Sequence, residues 1–217
     1  MTRTVAIIGG TGAEGFGLAG RLSRAGVRVL IGSRQAAKAH AAAARLPGVE
    51  GGLNPEAAGE ADIVVLTVPL AAQIPILKSI REALRPGTIL VDATVPLEAA
   101  IGGRVSRTIA LWDGSAAQQA ARLAPQGVAV VAAFHSLSAE LLAQPDLPID
   151  SDILICGDSA EAKTEVGRLV ELLPGARAVD AGPLEAARLL ENLAALMIAL
   201  NLRHKGKHCG LRITGLP

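Results

Sequence analysis

Thr4-Val5-Ala6-Ile7-Ile8-Gly9-Gly10-Thr11-Gly12-Ala13-Glu14-Gly15-Phe16 opens the chain. Thr4 to Ile8 is short, apolar and β-branched, the composition of a strand buried on both faces. Gly10, Gly12 and Gly15 then fall on the spacing G-x-G-x-x-G. From Phe16 to Ala25 the residues Leu18, Leu22 and Ala25 recur at helical intervals, and Gly26 takes the usual glycine place after a helix. Val27 to Ile31 is a second apolar run. Strand, glycine turn, helix and strand succeed one another within about 30 residues, which is a βαβ unit.

In a chain with 24 glycines such a spacing can arise by chance. Its position after a strand and at the head of a helix gives it a physical purpose. The first glycine permits a tight turn, the second lets backbone approach a pyrophosphate, and the third lets helix and strand pack closely. The helix start offers unpaired N–H groups and a positive dipole end to an anion. Gly10, Thr11, Gly12, Ala13 and Glu14 are therefore the expected seat of a dinucleotide pyrophosphate.

The second strand decides which dinucleotide. A unit that binds NAD places Asp or Glu at this strand end, for the ribose 2′-hydroxyl. Here Gly32-Ser33-Arg34 stands there and Lys38 follows one helical turn later. Hydroxyl, guanidinium and ammonium can surround a 2′-phosphate with charge-assisted hydrogen bonds. Ser33, Arg34 and Lys38 thus point to NADP.

Outward from this unit the alternation continues. Helical patterns cover Ala36 to Arg45, Ile74 to Leu84, Ser115 to Leu123, Ala160 to Leu173 and Pro183 to about Leu202. Strand patterns cover Ile63 to Val68, Thr88 to Asp92, Val128 to Ala133, Asp152 to Cys156 and Arg177 to Asp180. Asn54 to Ala61 reads as a surface loop or short helix. The expectation is a Rossmann-type, doubly wound, mainly parallel α/β sheet with a small C-terminal helical extension. Residues 1–183 would form the nucleotide-binding domain, and residues 184–217 a helix and tail that cap its cleft.

Composition narrows the function. Half the residues are apolar, the net charge is +1, and Phe16, Phe134 and Trp112 are the only aromatic residues. Without a basic tract or stacking aromatics, neither nucleic acid nor an anionic membrane is an expected partner. No apolar run approaches the roughly 20 residues of a membrane span. Cys156 and Cys209 stand too far apart for a metal motif or a disulfide framework, as expected of reduced thiols in the cytoplasm. His204 and His208 form the only close histidine pair, in a Lys- and Gly-rich tail, and no metal is expected there.

Ligands of open α/β sheets lie beyond the carboxyl ends of the strands. Three such ends, Thr67-Val68-Pro69, Asp92 to Pro96 with Val95, and Phe134-His135-Ser136, combine apolar with small polar groups, as a nicotinamide site requires. His135 is either an acid–base group, a structural histidine or a cofactor contact. Arg188 and Glu191, three apart on the last helix, are expected to pair with each other. From the residues alone the second substrate stays open. It could be a flavin-like carrier or a small acceptor, and a non-enzymatic NADP(H)-binding regulatory module is the alternative to an enzyme.

The chain resembles the coenzyme F420:NADP oxidoreductases over nearly its whole length. The resemblance rests on Ile8-Gly9-Gly10-Thr11-Gly12, Gly32-Ser33-Arg34 with Lys38, and Leu66-Thr67-Val68-Pro69. Further marks are His135-Ser136, Cys156-Gly157-Asp158, Asp180-Ala181-Gly182-Pro183-Leu184, Arg188 and Glu191. It implies hydride exchange between a reduced deazaflavin and NADP+. It also implies dinucleotide contacts at Thr11 to Glu14, a 2′-phosphate held by Ser33, Arg34 and Lys38, and Val68, Val95 and Ala139 near the nicotinamide. The deazaflavin would enter from the C-terminal tail, near Cys209. Two carriers that bring their own chemistry need no catalytic side chain. The roughly 35 residues after Gly182 are too few for the large helical domain that substrate-binding reductases of this fold add, but enough to cover a flat second cofactor. The apolar face of the last helix would also suit a homodimer contact.

Overall fold

The computed structural model describes residues 3–206 and 208–216. β1 (Thr4–Ile8), β2 (Arg28–Ser33), β3 (Val49–Leu53), β4 (Ile63–Leu66), β5 (Ile89–Asp92) and β6 (Ala129–Ala132) run parallel. β7 (Ser151–Gly157) is antiparallel to β6, and β8 (Ala176–Asp180) is parallel to β7. The order across the sheet is β3-β2-β1-β4-β5-β6-β7-β8. The connection reverses direction after β3, and the edge between β1 and β4 is the switch point where such sheets bind ligands.

Eight helices cover the two faces: α1 (Ala13–Arg24), α2 (Ala36–Ala43), α3 (Asn54–Glu60), α4 (Leu70–Ile80), α5 (Ala116–Leu123), α6 (Ala139–Leu142), α7 (Ala160–Glu171) and α8 (Ala187–His204). Alternate residues of each strand feed opposite cores. Val5, Ile7, Ile31, Val65 and Val91 meet Leu18 and Leu22 of α1 and Val166 and Leu169 of α7. Ala6, Ile8, Leu30, Val64 and Leu90 meet Ala58 of α3, Ile76 and Ile80 of α4, Ala120 of α5 and Leu190 of α8. Each such Leu, Ile or Val contributes about 1.5–3 kcal/mol by burial, so the last helix belongs to the core of one face as well as to the cleft.

Several boundaries differ from expectation for identifiable reasons. α1 begins at Ala13, not Phe16, because Gly12 supplies the extended cap residue directly. α4 begins at Leu70, not Ile74. Pro69 is its cap, so that proline starts the helix instead of blocking it, and the internal Pro75 is tolerated in its second turn. Val49–Leu53 is a strand that the alternation missed, since the Gly51-Gly52 pair has no β propensity of its own. A Cβ on Gly51 would meet the carbonyl carbon of Ala39 at 2.5 Å. The glycine is there to let α2 lie on the edge strand. Asn54–Glu60 is the short helix among the two options.

Candidate functional site

The glycine turn carries its strain one residue earlier than its fingerprint suggests. Gly9 takes φ of +89°, and a Cβ there would meet the Thr67 carbonyl oxygen at 2.5 Å. Gly10 lies beneath the turn, buried, where a Cβ would meet the Ile7 carbonyl oxygen at 2.9 Å. The Gly12 amide closes the turn on Gly9 O at 2.8 Å. Gly15 packs so closely that a Cβ would strike the Thr67 hydroxyl and the Gly10 Cα. Four backbone positions are thus free of side chains, and an anion can approach the start of α1.

On one side of this turn lies a cavity of about 510 Å³. Gly9, Thr11, Gly12, Ser33, Arg34, Lys38, Asn54 and the Thr67–Pro69 segment line it. The guanidinium of Arg34 and the ammonium of Lys38 have no ion pair or hydrogen bond to any described residue. The Ser33 hydroxyl accepts from the Gln35 amide at 3.3 Å, which leaves its proton to donate. Sequence reasoning missed Asn54. It is buried, and its side-chain carbonyl has no hydrogen-bond partner. Only the close fit of α3 under Gly32 brings it to the strand end, where its Oδ1 would lie 3.0 Å from a Cβ on Gly32.

On the other side lies a cavity of about 650 Å³. Gly12, Ala13 and Glu14 form one wall, Thr67, Val68 and Pro69 the next, and Val95 and Ala93 a third. His135, Ser136 and Ala139 continue it, and Ala194, Met197 and Asn201 of α8 with Cys209 of the tail complete the lining. The two cavities adjoin, with Gly12, Thr67, Val68 and Pro69 lining both, and together they make up a trough. The structure therefore gathers every site residue expected from the sequence along this trough, with Gly10 as its support from below.

His135 enters because the residue before it is strained. Phe134, fully buried, has φ of +70°, a left-handed conformation rare for a bulky side chain. Such outliers persist where surrounding packing enforces them. Both ring nitrogens of His135 are buried without a partner. Burial lowers its pKa to about 4, so the ring is neutral at pH 7. Glu14 lines the same cavity, and burial raises its carboxyl to about 8.

The last helix is fastened by buried acids. Glu191 does not pair with Arg188. It turns inward, and its Oε1 accepts from the Ala117 amide at the start of α5, 3.2 Å away. Two exposed side chains three residues apart would gain little, whereas the free N–H groups of α5 need an acceptor. Burial, with the Asp92 carboxylate nearby, raises Glu191 to about 8. Asp92 itself, at the end of β5, is raised by burial to about 6. It accepts from Gln73 and from the Thr94 amide, and so holds the segment that leads to Val95. Cys156 is buried in β7, where burial raises its thiol to about 11. Among the described residues no group of three or more His, Cys, Asp or Glu could hold a metal, and no helix is long and apolar enough to cross a membrane.

Residues 4–96 match the family described as NADP oxidoreductase, coenzyme F420-dependent. The F420-dependent NADP reductase of Methanothermobacter thermautotrophicus is 46% identical over 226 residues, covering 100% of this chain and 97% of that protein. The chain belongs to the coenzyme F420-dependent NADP oxidoreductase family. The F420-dependent NADP reductase of Methanocaldococcus jannaschii is 39% identical, with 98% of each protein covered. A crystal structure from Arthrobacter sp. FB24, provisionally described as an F420-dependent NADP reductase, superimposes with a TM-score of 0.86 at 26% identity, over 98% of this chain and 100% of that one. A reductive aminase from Aspergillus terreus shares the fold with a TM-score of 0.64 at 20% identity; 94% of this chain covers 64% of that longer one.

Proposed function

We propose that this chain transfers a hydride between reduced coenzyme F420 and NADP+, in the cytoplasm and as a homodimer, with no nucleic acid or membrane as partner. The observation that carries the reading is the single trough. It begins at two cations unpaired among the described residues, crosses the glycine turn and ends in a largely apolar chamber roofed by α8 and the tail.

The residues fit both carriers. Ser33, Arg34 and Lys38 would grip the 2′-phosphate, and Asn54 Oδ1 would accept from an adenosine hydroxyl. Gly10 to Glu14 would seat the pyrophosphate, with Gly10 contributing through the shape of the turn. Thr67, Val68, Pro69, Val95, His135 and Ala139 would surround the nicotinamide, and Cys209 would border the deazaflavin. When bound, the two rings supply the hydride chemistry themselves. The protein's task is to hold them with their reacting carbons about 3–3.5 Å apart. Met197, Ile198 and Val68 would keep water from that space, and neutral His135 would add no competing charge. Residues 1–183 would serve as the nucleotide-binding domain and residues 184–217 as its cap.

Dimerisation is supported by apolar side chains left outside. Leu189 and Leu196 lie seven residues apart on one stripe of α8, and both are exposed. Trp112, 99% exposed, belongs to the neighbouring segment, which Thr108 ties to Asn192 of α8 with a 2.6 Å hydrogen bond. Monomers seldom leave such a patch bare.

Mixing the protein with NADPH and oxidised F420 should bleach the deazaflavin absorbance as NADPH is consumed. Tight NADPH binding without bleaching, or turnover with another flavin alone, would overturn the deazaflavin assignment. Light scattering on the purified protein should give twice the chain mass.

A further inference from the structure

Glu14 is an acid in an unexpected place. It sits in the first turn of α1, two residues after Gly12, where the N–H groups face the pyrophosphate in the reading above. Half-buried Glu14 lines the larger cavity, and its carboxyl has no hydrogen bond or ion pair to any described residue. A carboxylate in the first turn of a helix is ordinarily welcome, because the dipole favours negative charge there. At this helix the same favourable potential has to hold the phosphates of a dinucleotide. Two anions cannot share it without a cation between them.

Among the described residues that line the larger cavity there is no such cation. The α4 side presents Thr67, Val68, Pro69 and Leu70, and β5 and its loop present Ala93, Val95 and Leu97. The segment after β6 presents His135, Ser136 and Glu140, whose only basic group is a neutral imidazole. α8 and the tail present Ala194, Met197, Ile198, Asn201 and the Cys209 thiol. Arg34 and Lys38 lie in one adjoining cavity and Arg21, Arg24 and Arg45 in another, both reached across Thr11 and Gly12.

We propose that Glu14 enters the bound state as a neutral carboxylic acid and donates its proton in a hydrogen bond to the dinucleotide, so that NADPH binding takes up a proton from solvent. Glu14 is then a positioning residue that rewards the dinucleotide for arriving with a proton. The inference rests on NADP(H) occupying the trough. Burial already places the free carboxyl near 8, and the arriving phosphates push it higher. The uptake is therefore greatest just above that pH. Above it, the NADPH dissociation constant rises up to tenfold per pH unit, because each bound molecule must recruit a scarcer proton.

The test is calorimetric titration with NADPH near pH 8.5, in two buffers of different ionisation enthalpy, for the wild type, Glu14→Gln and Glu14→Leu. The wild type should take up a large fraction of one proton, and both variants close to none. Between pH 7 and 9 the wild-type dissociation constant should climb while that of Glu14→Gln stays level. Equal proton uptake in wild type and variants, or a wild-type affinity that ignores pH, would overturn the proposal while leaving NADP binding intact. A wild type that fails to bind NADPH even at pH 7 would instead remove the reading beneath it.

Discussion

Arg34 and Lys38 at the end of β2, and Arg177 and Arg212 beside the start of β7, are two cationic clusters at the same end of the sheet. They differ in what answers their charge. Arg177 grips buried Asp152 through two hydrogen bonds, of 2.9 and 2.6 Å, and Arg212 joins Asp152 at 3.0 Å and Asp150 at 2.7 Å. The Arg177 guanidinium holds the Asp152 carboxyl well below the usual carboxylate range. Asp152 Oδ2 also accepts from the Ile213 amide, and the Asp152 amide donates to Leu211 O, so this cluster stitches the tail to the sheet. Arg34 and Lys38 have no such answer among the described residues. Cations spent on internal carboxylates organise structure. Cations left unpaired beside a cleft are available to a ligand.

That contrast can be broken in order of effect. Asp152→Ala should remove about 3 kcal/mol of stability, the upper scale for hydrogen bonds to a charged group, because the half-exposed arginines left behind can be solvated; urea unfolding reads the loss, and NADPH affinity should be little changed. Equal losses of fold and affinity would dissolve the distinction. Glu191→Gln tests the other fastening of the C-terminal helix. Its folded carboxyl is raised, so the native protein binds more protons than the unfolded chain between the ordinary glutamate range and about 8. The Glu191 contribution is therefore complete below that window and is lost as pH rises through it. Wild-type stability should fall between pH 5 and 9 more steeply than that of the variant, by a difference on the order of 3 kcal/mol.

At the unpaired end, Arg34→Ala should weaken NADPH binding by roughly 1.5–3 kcal/mol, the scale of a charged hydrogen bond, and leave NADH binding and stability unchanged. Equal loss for both nucleotides would take the 2′-phosphate away from this side chain. Lys38→Ala should cost less, about 1 kcal/mol, as an exposed point charge without bidentate geometry. Added salt should shrink the Lys38 effect further while leaving the buried Asp152 anchor almost untouched, because screening acts mainly on exposed charge.

What could be read early and what could not follows the same division. The nucleotide end is written locally. Gly10 to Gly15, Ser33, Arg34 and Lys38 lie within one βαβ unit, and each carries its meaning by type and spacing. Asn54 was hidden because its placement depends on α3 tucking under Gly32, and Arg188 with Glu191 misled because helical spacing says nothing about which face α5 will cover. Phe134 was silent as well, since a backbone angle has no letter in the sequence.

The sequence by itself determined the parallel α/β fold, the glycine turn and the preference for a phosphorylated dinucleotide, because the groups involved are close neighbours along the chain. The tertiary structure alone decided how the chamber is closed. β7 runs against β6, with Ala132 opposite Cys156, so its first residues project beyond the carboxyl ends of the parallel strands. The tail is bound to those first residues through Ser151 and Asp152, and that reversal delivers Cys209 to the ligand side. Strand direction and long-range pairing are set by which packing buries both faces of the sheet, a property of the whole chain that no local pattern records.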